Sequence, residues 1–265
     1  MNTQKVIDHI ENWLKEYAQQ AGVQGFVVGV SGGIDSAVTS TLCARTGLQV
    51  LCLELPIHQA ANQVSRARNH INWLKEHYSN VSDHWVNLTP VFDALVDAFP
   101  PVSSEEERFM SLANTRARLR MTSLYYFAAL EGLLVAGTGN KVEDFGVGFY
   151  TKYGDGGVDI SPIADLLKTQ VYAIAAALGV SHEIQVAPPT DGLWGDDRND
   201  EDQLGASYPE LEWAMHVYDA GKRSADFSGR QAEVLSIYTK LHLANQHKMN
   251  PIPVCEIPSE LMGVI

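Results

Sequence analysis

The sequence predicts an α/β fold, namely a doubly wound, mostly parallel sheet with helices on both faces. Short apolar segments typical of buried strands alternate with longer segments of helical periodicity. A run of small residues connects the first such strand to a helix: Gly29-Val30-Ser31-Gly32-Gly33-Ile34-Asp35-Ser36. With 265 residues, of which 45% are hydrophobic, the chain is long enough to bury a large core. In folds of this class, ligands bind beyond the carboxyl ends of the strands.

The N-terminal half supplies the first three strand and helix pairs. An amphipathic helix is predicted over residues 6–20, and the strand over 26–28 leads into the run of small residues and a helix that ends near Gly47. A second strand over 49–55 precedes a helix over 59–78, and a third strand over 83–88 precedes a helix that Thr89 caps and that ends at Phe99.

The C-terminal half begins with a long helix over 109–131 and a buried strand over 132–137. A helix over 166–178 is predicted to stop at Gly179, and residues from 208 to about 249 are predicted to be helical. Between these helices, residues 186–205 are rich in proline, glycine and acidic side chains. We expect residues 190–202 to form a mobile loop that orders over the substrate.

Composition excludes several classes of function. The net charge is −13, which disfavours binding to nucleic acid. No apolar run approaches the roughly 20 residues that span a bilayer, and the N-terminus passes into an amphipathic helix and not into a signal sequence. The cysteines at positions 43, 52 and 255 form no C-x-x-C pair and are typical of thiols in a reducing compartment. We therefore expect a cytoplasmic protein without membrane or nucleic-acid partners.

The run of small residues has the chemistry of an anion site. Glycines let the backbone approach a phosphate, and the unpaired N–H groups at the start of the following helix point at it. Ser31 and Ser36 add hydroxyl donors, and Asp35 adds a carboxylate that could hold Mg²⁺ between phosphate oxygens. The simpler interpretation, a tight turn with polar residues at a helix cap, is the less favoured one.

The run lacks the Gly-Lys-Ser/Thr ending of a Walker A motif. It resembles instead the Ser-Gly-Gly-X-Asp-Ser loop of the ATP pyrophosphatases, or PP-loop enzymes, which have the adenine nucleotide alpha hydrolase-like fold. This resemblance implies that residues 29–36 bind ATP and that pyrophosphate is released, but it leaves the substrate open.

Further stretches resemble the NAD synthetases within that superfamily. They are Asn114–Met121, Gly137–Glu143, Phe149–Asp159 with Pro162 and Lys168, Pro189–Leu193, and Gln246–Lys248. The resemblance implies ATP contacts at Thr138, Lys168 and Thr190, and Mg²⁺ bound by Asp35 and Glu143. It implies deamido-NAD contacts at Arg118, Lys152, Asp159, His247 and Lys248. Asp35 and Lys168 are the implied catalytic residues.

The residues themselves leave simpler interpretations open for most of these positions. Arg116 and Arg120 are expected on a solvated basic side of the long helix, and Thr138 could be only a turn hydroxyl. Glu143 could be an exposed acidic residue of a helix, and residues 152–159 could form only a hairpin. Residues 247–248 could be surface residues without a function. Lys168 is different, because a cation at a helix start opposes the helix dipole and indicates a nearby anion.

The resemblance implies an AMP-forming ligase that amidates deamido-NAD⁺ to NAD⁺ with ammonia through an adenylated intermediate. Asn140-Lys141 departs from the usual ammonia-dependent pattern and resembles glutamine-dependent members. We nevertheless expect one synthetase domain over residues 1–265, without a glutaminase domain, and a homodimer whose interface completes the deamido-NAD site. Two alternatives are another PP-loop enzyme that amidates or thiolates a different substrate, and a non-catalytic nucleotide sensor.

Overall fold

The computed structural model describes residues 1–59, 61–188 and 200–262. Four strands form a parallel sheet in the order β3-β2-β1-β4. They are β1 (Gly25–Gly29), β2 (Gln49–Glu54), β3 (Val81–Trp85) and β4 (Leu133–Val135). The predicted parallel α/β fold is confirmed. Strand β2 lies on one side of β1 and β4 lies on the other, so the direction in which strands are added changes at β1. Parallel sheets of this kind bind ligands at such a point.

Helices surround the sheet and continue beyond it. They are α1 (Thr3–Ala21), α2 (Ile34–Arg45), α3 (Ala61–His77), α4 (Thr89–Ala98), α5 (Glu105–Glu131), α6 (Lys168–Leu178), α7 (His182–Val186), α8 (Asp200–Leu204), α9 (Tyr208–Asp219) and α10 (Gly229–Met249). A π-helical segment spans Val142–Val147, and short 3₁₀ turns span Ser224–Asp226 and Ser259–Leu261. None of the described helices combines the length and the hydropathy needed to cross a membrane.

Alternate side chains of β1 divide the sheet core between two layers. Phe26 and Val28 pack with apolar residues of α1, α2, α3 and α6, whereas Val27 packs with residues of α4 and α5. This is the period-2 alternation of a strand that is buried on both faces. The two layers together form the sheet core and hold the run of small residues at the end of β1.

A separate apolar cluster, the helical cluster, lies outside the sheet. Its buried members come from the π-helical segment and from helices α8, α9 and α10 and the residues beside them: Val142, Val147, Leu204, Ala206, Tyr208, Leu211, Ala214, Met215, Val234, Leu235 and Tyr238. The π-helical segment therefore joins this cluster to the end of the sheet. The single-domain organisation stays a prediction.

Several element boundaries differ from the sequence prediction. Strand β3 begins at Val81 because it pairs there with Val50, and it ends at Trp85. Helix α5 begins four residues early because the Ser104 hydroxyl accepts a hydrogen bond from the Glu107 N–H at 3.3 Å. Thr89 is not the cap of α4 but its first residue, because the helix begins one position earlier than predicted and Leu88 occupies the cap position.

Candidate active site

The run of small residues encloses one end of a cavity of about 500 Å³. All eight residues from Gly29 to Ser36 line it, as do residues that follow β2 and β4. Gly32 has φ +82°, a left-handed conformation that favours glycine. The loop therefore lies at the carboxyl end of the sheet, where the fold predicts a ligand.

The two serine hydroxyls hold the shape of this loop. The Ser36 hydroxyl donates to the Gly33 carbonyl at 3.0 Å and accepts from the Ser31 N–H at 3.2 Å. The Ser31 hydroxyl accepts from the Gly33 N–H at 3.2 Å. Both hydroxyls were expected to be donors to an anion, but within the described part of the chain they form hydrogen bonds with other atoms of the loop.

Lys168 is the cation at the centre of the site. It is the first residue of α6, its side chain is 2% exposed, and its Nζ forms an ion pair with Asp35 and contacts Glu143 Oε1 at 3.2 Å. Burial alone lowers the pKa of Lys168, but attraction to Asp35 and Glu143 outweighs it and raises the pKa above its ordinary value. Burial raises the pKa of Asp35, and Lys168 opposes that shift.

Asn140 and Tyr208 are site residues that the sequence did not reveal. The Asn140 carboxamide is completely buried and donates to Asp35 Oδ1 at 3.3 Å. The Tyr208 hydroxyl donates to Glu143 Oε1 at 2.5 Å, and its ring centroid lies 4.7 Å from Lys168 Nζ. In the sequence, Tyr208 is only the first residue of a predicted helix and belongs to no recognised motif. Its place in the site is evident only from the fold.

Asp144 adds a further carboxylate to the cavity wall. Burial raises its pKa to about 8, and the neighbouring charges of Glu143, Asp155 and Asp35 act in the same direction. A Cβ on Gly139 would lie 2.2 Å from Asp144 Oδ1, so only glycine fits at that position. The cavity therefore has an acidic wall beside the loop over residues 29–36, which is the predicted phosphate loop.

Three of the predicted deamido-NAD residues lie together outside the cavity lining, where Arg118 and His247 are exposed and Lys152 is partly buried. The Arg118 guanidinium donates to the Lys152 carbonyl at 3.3 and 3.4 Å, and Lys152 Nζ donates to the His247 carbonyl. Asp159 accepts from the Tyr125 hydroxyl at 3.0 Å and from the Val135 N–H at 2.8 Å. Over the ranges that the structure describes, the side chains at positions 118, 152, 159 and 247 form no hydrogen bond or ion pair with Asp35.

Lys248, the fifth of these residues, does line the cavity. Its Nζ donates to the carbonyls of Gly148 and Tyr150, each at 2.8 Å. Burial lowers the pKa of this ammonium, while Asp155 opposes the shift. Thr138 also lines the cavity, and Thr190 lies outside the described residues together with most of the predicted 190–202 loop.

The expected solvated basic side of α5 is wrong for two of its arginines. Arg120 lines the cavity, where its guanidinium donates to the Leu55 carbonyl at 3.1 Å and to Gln59 Oε1 at 2.9 Å. Arg116 packs with its guanidinium carbon 4.6 Å from the centroid of the Phe92 ring. Helical periodicity could not show this, because it gives the face on which a residue lies and not what the end of a long side chain contacts.

The carboxylates of Asp35 and Glu143 fit a magnesium ion. They converge on one point, since both contact the same Nζ atom of Lys168. Among the described residues, no group of three or more His, Cys, Asp or Glu side chains is placed to hold a metal. Magnesium does not need such a group, because one or two carboxylates, substrate phosphates and water complete its six ligands.

Comparisons with known proteins indicate one family over most of the chain. The family described as NAD synthase matches residues 6–252. The NH(3)-dependent NAD(+) synthetase of Carboxydothermus hydrogenoformans is 35% identical over 249 residues, which cover 94% of this chain and 96% of that protein. The structure of NMN synthetase from Francisella tularensis has a TM-score of 0.82 and 29% identity, and it covers 98% of this chain and 99% of that one. The NH3-dependent NAD synthetase from Campylobacter jejuni has a TM-score of 0.77 and 25% identity, over 97% and 100%.

Proposed function

The chain belongs to the NAD synthase family, and we propose that the cavity beside the phosphate loop is where it carries out that family's reaction. The protein is an AMP-forming ligase. It amidates deamido-NAD⁺ to NAD⁺ with ammonia, at the expense of ATP, which leaves as AMP and pyrophosphate. The observation that carries this proposal is the convergence of the loop over residues 29–36, Lys168 and Glu143 on one cavity.

The reaction has two chemical steps. An oxygen of the nicotinate carboxylate attacks the α-phosphorus of ATP, and the bond from that phosphorus to the bridging oxygen of pyrophosphate breaks. The nitrogen of ammonia then attacks the acyl carbon, AMP leaves with the bonding electrons, and the nitrogen loses a proton. The protein contributes mainly position and charge, through the loop N–H groups and the ammonium of Lys168 on the phosphates.

We assign Asp35 and Glu143 to Mg²⁺. The support is that their oxygens converge on one cation in this structure and that both residues line the cavity. When bound there, the ion would neutralise charge on the phosphates and stabilise the departing pyrophosphate. The assignments of Thr138 and Thr190 to ATP rest on family resemblance, and for Thr138 also on its place in the cavity wall.

A homodimer would explain why the predicted deamido-NAD residues are divided. Arg118 and His247 are exposed and Lys152 is partly buried, all three outside the cavity lining, while Lys248 lines the cavity. Helix α5 also carries large exposed apolar side chains, including Tyr126 at 62% and Leu130 at 66%. A closed pair is the commonest soluble assembly. We place the protein in the cytoplasm because Cys43 and Cys52 are buried free thiols in the sheet core.

The test is to incubate the purified protein with ATP, Mg²⁺ and deamido-NAD⁺, with either ammonium or glutamine as nitrogen donor. We expect AMP and NAD⁺ in equal amounts with ammonium and little product with glutamine. Because a similar structure is an NMN synthetase, a parallel reaction replaces deamido-NAD⁺ with nicotinate mononucleotide. Faster turnover of the mononucleotide would assign the shorter substrate, and no AMP with either substrate would refute the proposed function.

A further inference from the structure

Asn140 links the two carboxylates of the site through a single side chain. It is completely buried, although it lies in the cavity-lining stretch between β4 and the π-helical segment. Its carboxamide has hydrogen-bond partners on two different segments of the chain. The carbonyl oxygen of this carboxamide bonds one segment and its amino group bonds the other. Moving the two segments apart would break one of these bonds and leave a buried polar group unpaired, so the carboxamide fixes the distance between the segments.

On one side, Asn140 sets the start of the segment that carries Glu143. Its Oδ1 accepts from the N–H groups of Val142 at 3.1 Å and of Glu143 at 3.3 Å. The turn is anchored further by the Lys141 N–H, which donates to the Leu166 carbonyl at 2.8 Å. The backbone that positions the Glu143 carboxylate is therefore held by the Asn140 acceptor.

On the other side, Asn140 orients Asp35. Its Nδ2 donates to Asp35 Oδ1 at 3.3 Å, whereas Lys168 binds the other oxygen, Oδ2. Two donors on two oxygens fix the plane of a carboxylate that one donor would leave free to rotate. The Nδ2 donor of Asn140 takes no part in capping the π-helical segment, because only the Oδ1 acceptor bonds the first N–H groups of that segment.

We infer that Asn140 is a positioning residue that sets the separation and orientation of Asp35 and Glu143 for Mg²⁺–ATP. This inference rests on the proposed function. It goes beyond it by giving a role to a buried side chain to which the family resemblance assigns none. Asn140 acts through the two carboxylates and is given no contact with a substrate.

The test compares two variants that separate the two sides of the carboxamide. Asn140→Asp keeps the acceptor but replaces the donor to Asp35 with a carboxylate oxygen that repels it, and Asn140→Ala loses both the acceptor and the donor. The matched control is Asn80→Ala, because Asn80 donates to the Ala44 and Leu48 carbonyls at 2.9 and 2.6 Å at the far end of α2. Each protein is titrated calorimetrically with Mg²⁺ and α,β-methylene-ATP, which cannot be turned over, and its Tm is measured without ligand.

We expect both Asn140 variants to bind the Mg²⁺–nucleotide about 10-fold more weakly, as for the loss of a hydrogen bond to a charged group. The KM for deamido-NAD⁺ at saturating Mg²⁺–ATP should change less than about 2-fold, because the altered contacts lie on the carboxylate side of the cavity. Asn80→Ala should lower Tm without changing nucleotide binding.

A folded Asn140 variant that binds the Mg²⁺–nucleotide like the parent overturns the inference. So does unfolding of both variants, since Asn140 would then serve stability alone. A parent protein that binds the nucleotide but forms no AMP refutes the proposed function instead, and the comparison of binding still decides the role of Asn140.

Discussion

Lys168 and Asp35, which are 133 positions apart in the sequence, form an ion pair in the wall of the cavity. The same ammonium lies 3.2 Å from Glu143 Oε1. A cation of the protein itself therefore occupies the space between the two carboxylates that we assign to Mg²⁺. On this assignment, we expect binding of Mg²⁺–ATP to turn this ammonium from the carboxylates toward the phosphates.

Removing this ammonium should expose the carboxylates to free Mg²⁺. In Lys168→Met we expect turnover to fall by roughly 100-fold or more, because a charge on the phosphates is lost. Without nucleotide, Mg²⁺ should raise the Tm of this variant more than that of the parent, in which Lys168 competes. Lys141→Met is the control, since Lys141 pairs with the 95% exposed Asp165. An equal Tm rise in parent and Lys168→Met would refute the competition.

Asp35→Asn and Glu143→Gln should each abolish formation of the adenylate while the fold is retained. Each change removes a negative ligand that the ion needs if it is to stabilise the leaving pyrophosphate. The measurement is release of radiolabelled pyrophosphate with deamido-NAD⁺ and without ammonia, alongside circular dichroism. Asp165→Asn, which changes an exposed carboxylate, should behave like the parent. Near-normal pyrophosphate release by both site variants would show that the metal assignment is wrong.

Tyr208→Phe should lower activity by about 10-fold or more, because the hydroxyl makes a hydrogen bond of 2.5 Å to the charged Glu143 carboxylate. The ring and its packing remain in this variant. Tyr238→Phe provides the matched control, since the buried Tyr238 hydroxyl has no hydrogen-bond partner among the described residues. Kinetics and thermal unfolding of both variants make the comparison. If the two variants have the same activity, the Tyr208 hydroxyl does not position Glu143.

Buried His70 should make the protein less stable at acidic pH. Burial lowers its pKa from 6.5 to about 4, while its Nε2 lies 3.0 Å from the Ser40 hydroxyl. The unfolded state then binds more protons than the folded state between these values, so stability falls as pH falls through this window. Between about pH 7 and about pH 5 the contribution is roughly 2 kcal/mol.

Urea unfolding at both pH values measures this effect. His70→Gln should be less stable than the parent at neutral pH, but it should lose less stability on acidification. His9→Gln removes an exposed histidine of α1 and should follow the parent. The same acid dependence in the parent and in His70→Gln would exclude this histidine as the cause.

Mixed subunits test the homodimer. Arg118 is exposed and Lys248 lines the cavity of its own chain, so a shared site could take one residue from each protomer. Arg118→Ala and Lys248→Ala should each be nearly inactive, and mixing them after mild dissociation should restore roughly one quarter to one half of the parental activity. Analytical ultracentrifugation shows the assembly directly. A fully active monomer would contradict the shared site.

The phosphate loop could be predicted from the sequence because all its determinants are contiguous. The small residues, the preceding strand and the following helix occur together in the chain, and the structure places them as expected. Lys168 could be suspected because a cation at a helix start is electrostatically unfavourable unless an anion lies nearby. The anion found there is a pair of carboxylates of the protein.

Asn140 and Tyr208 could not be predicted as site residues, because the contact that reveals each of them joins residues that are distant in sequence. Asn140 forms a hydrogen bond with Asp35, 105 positions away, and Tyr208 forms one with Glu143, 65 positions away. The π-helical segment was also missed, since one extra residue in a turn leaves no mark on apolar periodicity. Periodicity likewise places Arg120 on a helix but does not show whether a long side chain reaches over the edge into a cavity.

The site is assembled across the boundary between the sheet core and the helical cluster. Asp35 lies on α2 against the sheet, whereas Glu143 and Tyr208 belong to segments that pack in the helical cluster. We therefore expect this boundary to open at a lower free energy than unfolding of the sheet, and its opening to separate the assigned site residues. We expect low concentrations of denaturant to abolish activity while the strands are still intact. Bound nucleotide should stabilise the boundary, so that the sheet core and the helical cluster unfold together.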